Sequence, residues 1–223
     1  MIRSLLLNHV VLGSVPQRNT LVAADIVTEF LEVAIHCILH HRDLYPAGVF
    51  ETRKKYNVPV QMCLHPDVIQ YITNILESIK LLLEAQEVNR VGLVILDSKQ
   101  TPIERFVFEI AYPSLLSGFG CDILLTELEQ SLRAFLLKIN VCDALLKPLP
   151  QDVSWVIHIH TSDSAMLRLE EKQILKNFPW IEAEEKQKTM SNSSLVPMKT
   201  VNSDIVKMQL FVEESSLKRK LDT

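Results

Sequence analysis

Apolar residues recur at helical spacing in three long stretches of this 223-residue chain. From Ala23 to Leu44, Ile26, Phe30, Val33, Cys37 and Ile38 fall on one face, with Asp25, Glu29, Glu32 and His36 towards the other. That spacing predicts an amphipathic helix, which Tyr45-Pro46-Ala47-Gly48 stops. Pro66 suits the first turn of a second helix, along which Ile69, Ile72, Leu76, Ile79 and Leu83 keep the same period. A third is predicted from about Cys121 to Leu146, with Leu125, Leu128, Leu132, Phe135, Leu136, Ile139 and Cys142 as its stripe and Pro148 and Pro150 beyond it.

Between the helices the period changes. Val49-Phe50 and Val58-Pro59-Val60-Gln61-Met62 read as short edge strands, because Pro59 has no N–H for a central ladder. RVGLVILD is a β-branched run, Ser98 to Pro102 is turn-like, and IERFVFEIAY alternates. Phe106, Phe108 and Ile110 share one face of it, and Arg105, Val107 and Glu109 the other, so a hairpin with one buried face is expected. VSWVIHIHT is a further strand. The last, Ile205 to Glu214, places Val206, Met208, Leu210 and Val212 on one side. SAMLRLEEKQIL fits a short helix or a loop leading to a strand near Ile174-Leu175. These elements define one α+β domain, three helices packed on a mostly antiparallel sheet.

One segment keeps no period. FPWIEAEEKQKTMSNSSLVPMK, Phe178 to Lys199, is apolar at its ends and polar between them. A structureless loop of that length inside a compact domain is either disordered or functional. Trp180 and Leu195 are its candidate anchors.

Composition narrows the function classes. A net charge of −4 provides no global field for nucleic acid. The basic runs Arg53-Lys54-Lys55 and Lys218-Arg219-Lys220 are short and read as a solvated face and tail. Four cysteines without a C-x-x-C pair read as reduced thiols of a cytosolic or nuclear protein. Asn192-Ser193-Ser194 is then a sequon without consequence. MIRSLLLNHVVLGSVP lacks a clean cleavage site, so residues 1–20 are expected to be a disordered extension rather than a signal peptide. No run reaches transmembrane length.

Signatures of catalysis are missing. Gly118-Phe119-Gly120 has Ile at position 123 where a dinucleotide fingerprint needs a third glycine. There is no Walker lysine motif and no G-x-S-x-G. His158 and His160 are two ligands where zinc needs more, and His40-His41 suit the negative end of a helix. Cys63 and His65 have the residue types of a nucleophile and base but no orienting acid. The expectation is a protein with no catalytic residues, metal or cofactor.

Specific strings then carry a resemblance. EFLEVAIHCILHHRDLYPAGVF, RKKYNVPVQM, HPDVIQYI, IERFVFEI, LRAFLLKINVCDALL, FPWI and LVPMKTVNSDIVKMQLFVEE, in that order, resemble the HORMA-domain family. They are most similar to its branch that serves as the accessory subunit of translesion DNA polymerase zeta. The likeness runs from about Leu21 to Glu214, which implies a HORMA domain over 21–214, a mobile safety belt over about 163–214 and a tail over 215–223. A belt of this kind closes over a partner's extended peptide.

The resemblance implies a non-catalytic adaptor for the polymerase zeta catalytic subunit, with Tyr71 and Trp180 packing on a proline-rich peptide. Leu195, Gln209 and Phe211 match a second surface that docks the C-terminal domain of the scaffold translesion polymerase, the deoxycytidyl transferase. The family commonly has Tyr where this chain has Phe211, which keeps the ring and drops a hydroxyl. Arg133 matches a HORMA–HORMA dimer face. Double-strand-break end-protection factors, anaphase-promoting-complex activators and a HORMA-remodelling ATPase are further partners implied, as is a homodimer. No direct nucleic acid or membrane contact is expected, and the expected location is the nucleus and also the cytoplasm. The competing expectation is a spindle-checkpoint-type HORMA adaptor with a mitotic partner.

Overall fold

The computed structural model describes residues 18–112, 121–161, 165, 180–190, 192–203, 206–216 and 218. The elements are α1 (Arg18–His41), β1 (Phe50–Lys55), β2 (Val58–Cys63), α2 (Pro66–Glu84), β3 (Val88–Leu96) and β4 (Pro102–Ala111). They continue with α3 (Cys121–Ile139), β5 (Ser154–Thr161), a one-turn α4 (Glu185–Lys188), β6 (Ser193–Asn202) and β7 (Lys207–Ser215). Every strand pair is antiparallel. β1 and β2 form a separate ribbon, and the main sheet has the order β5-β3-β4-β7-β6.

Local chemistry sets the boundaries. α2 starts with Pro66 in its first turn and ends before Gln86, which takes φ 57°. Tyr56 and Asn57, at φ 47° and 56°, make the tight β1–β2 turn. Asp97 Oδ1 accepts from the N–H groups of Lys99 and Thr101 at 2.9 and 2.8 Å and holds the β3–β4 turn, with Gln100 at φ 62°.

α1 is the central helix, packed on α2, α3 and β2. Phe30 meets Phe108 of β4 and Phe135 of α3 edge-on, with centroids 6.1 and 5.6 Å apart. The helices therefore cover the sheet face carrying Leu93, Phe106, Leu210 and Ile157. The opposite face carries Arg105, Val107, Phe211 and Leu195 and is called the back face here.

Several expectations change. α1 begins at Arg18 rather than Ala23. His36 is not on a polar face: α1 is surrounded, and His36 is 1% exposed with Nδ1 accepting the Cys63 N–H at 3.2 Å. Burial, helped by Arg53, lowers the His36 pKa to about 4, so the ring is neutral. α3 ends at Ile139, with a separate 3-10 turn at Cys142–Ala144. The charged residues after Phe50 form β1 itself, exposed on both faces of a ribbon.

β4 is buried on both faces, not one, because α4 lies across its back. Ser193 to Lys199, read as loop, is the first part of β6. Its pattern is weak because an outer strand over a partly exposed face needs little apolar alternation. Lys218 is not in a solvated tail. It is buried with Glu104, Glu214 and Arg42, and bonds to both carboxylates. The alternative readings of SAMLRLEEKQIL lie almost wholly outside the described residues, as does the extension over residues 1–17.

Candidate functional site

The two outer strands of the sheet are β5 and β6. An outer strand presents unpaired N–H and C=O groups that accept another chain. Among the described residues, β5 pairs with β3 alone. It has no proline and alternates half-buried side chains towards the helices and the back face.

Aromatic side chains gather beside this edge. Tyr71 of α2 meets Trp155 of β5 edge-on at 5.3 Å, and its hydroxyl reaches the Ile157 backbone. Burial holds the Tyr71 phenol above its usual pKa, so it stays protonated. The Trp155 indole N–H donates to the Tyr45 hydroxyl at 3.1 Å. Two helical turns beyond Tyr71, the Ser78 hydroxyl accepts from the Trp180 indole N–H at 3.0 Å. The helical spacing of Tyr71 and Ser78 thus puts both sequence-predicted aromatics, Tyr71 and Trp180, along one side of α2, flanking β5.

Past Trp180 the chain changes sides. The carbonyls of Gln187 and Lys188 accept from the Arg105 guanidinium at 2.8 and 3.3 Å, on the back face. Residues 180–187 therefore pass from the helical side to the back side, on the flank where β5 is outermost. The segment then reaches the opposite outer strand at Ser193. This is a strap whose ends are tied on both sides of an edge that, among the described residues, carries no further strand.

The other predicted residues are placed apart from that edge. Leu195, Gln209 and Phe211 share the back face at β6 and β7, where Pro197 pairs with Phe211 and Thr200 with Gln209. Leu195 is 60% exposed, Gln209 half-buried and Phe211 buried, so Leu195 presents most of that surface. Arg133 is exposed on α3. Sequence reasoning missed Trp155, Tyr45 and Arg105. The first two read as ordinary strand and loop aromatics, and only the fold brings them to Tyr71.

The candidates for other chemistry are dispersed. Burial lowers His158 to about 4, with Arg105 and His160 adding to the shift, and His160 is also lowered. Among the described residues no group of three or more His, Cys, Asp or Glu is placed to hold a metal ion. Burial pushes the Cys37 and Cys142 thiols up, to about 11 and about 12, the opposite of nucleophile activation. No helix among the described residues is long and apolar enough to cross a membrane.

Helices on one face of an antiparallel sheet, an outer strand that among the described residues pairs on one side only, and a strap that reaches the opposite outer strand define the class of fold. Residues 23–166 match the HORMA domain, and the chain belongs to the HORMA domain family. It is 51% identical over 197 residues to the human protein named Mitotic spindle assembly checkpoint protein MAD2B, covering 88% of this chain and 93% of that one. It is 33% identical over 198 residues to the Arabidopsis thaliana DNA polymerase zeta processivity subunit, covering 88% and 87%. Among solved structures it is similar in fold to C. elegans HTP-2 bound to a HIM-3 closure motif. There the TM-score is 0.68 at 11% identity, over 91% of this chain and 93% of that one.

Proposed function

We propose that this chain is a non-catalytic adaptor that clasps an extended proline-rich peptide of the polymerase zeta catalytic subunit along β5, beneath the strap. The observation that carries the proposal is an outer strand that among the described residues pairs on one side only, beside a segment tied to α2 at one end and to the back face at the other. A peptide added to β5 satisfies its outward backbone groups, and the aromatic side chains select the residues it carries. Proline suits this site because it is already extended and loses little entropy against an aromatic ring. A strap that must open and reclose makes capture slow and release slower still.

The name of the Arabidopsis relative supports the polymerase assignment. Under this reading the back-face patch at Leu195 recruits the C-terminal domain of the scaffold translesion polymerase, supporting synthesis past DNA lesions in the nucleus. The name of the human relative favours a second reading, a checkpoint-type adaptor with a mitotic partner on the same edge.

The test is binding of the purified chain to a proline-rich peptide of the catalytic subunit and to a spindle-checkpoint receptor peptide. Removing a buried aromatic anchor costs roughly 2 kcal/mol or more, about thirtyfold in Kd. Trp180→Ala and Tyr71→Ala should therefore weaken the first peptide while circular dichroism stays native. Binding of only the second peptide would transfer the assignment to the mitotic reading. Binding of neither would remove both.

A further inference from the structure

Between residues 181 and 190 the strap buries nothing. Every side chain there is exposed or half-buried, and Ile181 is 87% exposed. Its ion pairs, Lys188 with Glu182 and Glu185 and Lys186 with Glu184, are internal to the strap and solvated, so they do not fix it to the body. Among the described residues, the polar contacts from this stretch to the rest of the protein all run to Arg105.

Arg105 is built for that contact. It sits in the centre of the sheet on β4, and its side chain is 9% exposed. Its aliphatic stem packs over Gly92 of β3, close enough that a Cβ there would stand in ordinary van der Waals contact, 3.6 Å from Arg105 Cγ and Cδ. One guanidinium nitrogen bonds Glu213 of β7 at 2.9 Å. Another donates to the Gln187 and Lys188 carbonyls. Those carbonyls belong to the last turn of α4, where helical carbonyls have no partner within the helix and a cation is favoured. The guanidinium fork meets a carboxylate and carbonyl oxygens together, which an ammonium reproduces poorly.

We infer that Arg105 is a positioning residue for the clasp: it caps α4 from across the sheet and holds the strap shut on the back face. Glu213 orients it, so the same side chain also ties the closed strap to β7. The inference rests on the proposed clasp only for its effect on peptide release. Its effect on the strap is a property of the free protein.

The test uses the full chain and two variants, Arg105→Met, which keeps the stem over Gly92, and Arg105→Lys. Losing charge-assisted hydrogen bonds of this kind is expected to raise amide exchange in residues 184–190 about tenfold in Arg105→Met. Arg105→Lys should be intermediate, and β3–β4 amides should keep their protection in both. The off-rate of the bound proline-rich peptide should rise in the same order. Wild-type exchange in 184–190 in both variants would overturn the inference. So would an unchanged off-rate in variants whose wild-type parent binds. If the wild type binds no peptide, the proposed function falls, and strap exchange alone decides the role of Arg105.

Discussion

The two outer strands of the sheet are managed in opposite ways. β6 carries Pro197, a register shift between Pro197 and Lys199, and Lys199 itself. Proline, an irregular register and a lysine each discourage a further strand from pairing. β5 has neither proline nor lysine on its sequence SWVIHIHT, the register shift in its pairing falls on β3 between Val88 and Arg90, and it has two aromatic neighbours from outside the strand, Tyr71 and Tyr45. Their supports differ too. The β6–β7 hairpin is pinned by a buried ionic cluster, in which Arg42 and Lys218 meet Glu104, and Lys218 and Lys147 meet Glu214. The strap beside β5 is held by a tryptophan, a serine and one arginine. One edge carries residues that discourage pairing; the other lacks them and lies beside a segment held to the body by few described contacts.

The sharpest break in this contrast comes from the fixed side. Glu104 is fully buried, and Glu104→Ala leaves Arg42 and Lys218 without their shared carboxylate. Removing one partner of a buried ion pair costs about 3–5 kcal/mol, and because Lys218 keeps Glu214 and Arg42 keeps Asp143 the lower end of that range is the expected loss in chemical denaturation.

Acid separates the two sides more gently. His36 and the β5 residue His158 titrate near 4 in the fold against 6.5 when free. The unfolded chain therefore takes up protons first. Stability is whole above pH 6.5, falls as the pH drops, and stops falling from this source below about 4. Burial pushes the Glu214 carboxyl up, but the Lys147 N–H and the Lys218 and Lys147 ammonium groups outweigh it and hold the pKa below 4.5. Its contribution is present above 4.5 and is lost only as the pH falls through that lowered value. The thermal midpoint should thus decline from pH 6.5 to 4.5 while the Glu214 carboxylate remains charged. A variant with His36→Leu and His158→Gln should lose most of that slope.

Much of this contrast was out of reach of the sequence, for physical reasons. The helical stripes through Phe30, Ile72 and Phe135 and the alternation of Val206 to Val212 are local signals and placed α1, α2, α3 and β7 well. Strand order is set by long-range pairing and has no local signal, so which strands are outermost was not legible. Alternation with Phe106 and Phe108 puts Arg105 on the face of β4 opposite the core, which by itself predicts solvent exposure. What buries it is a segment 82 and 83 residues further along the chain, at Gln187 and Lys188. A basic triplet near the end of the sequence predicts a solvated tail, whereas the carboxylate partners of Lys218, Glu104 and Glu214, lie on β4 and β7. Trp180 stands out as an apolar anchor of the unpatterned segment and Tyr71 only through the family resemblance; the fold adds that both lie along one side of α2.

Two smaller effects sharpen the comparison from opposite directions. Pro197→Thr restores an N–H to the blunted edge, and concentration-dependent self-association by sedimentation is the expected outcome, with little change in thermal midpoint. Lys188→Ala removes only solvated ion pairs of the strap, and no measurable change in thermal midpoint or peptide off-rate is expected.

The central claim is that β5, under the strap, receives the partner's backbone. Amide exchange of the full chain with and without the proline-rich peptide tests it most directly. Added protection over residues 154–161, with 193–202 unchanged, is the predicted result. Protection on β6, or binding that leaves β5 amides exchanging as before, would contradict it.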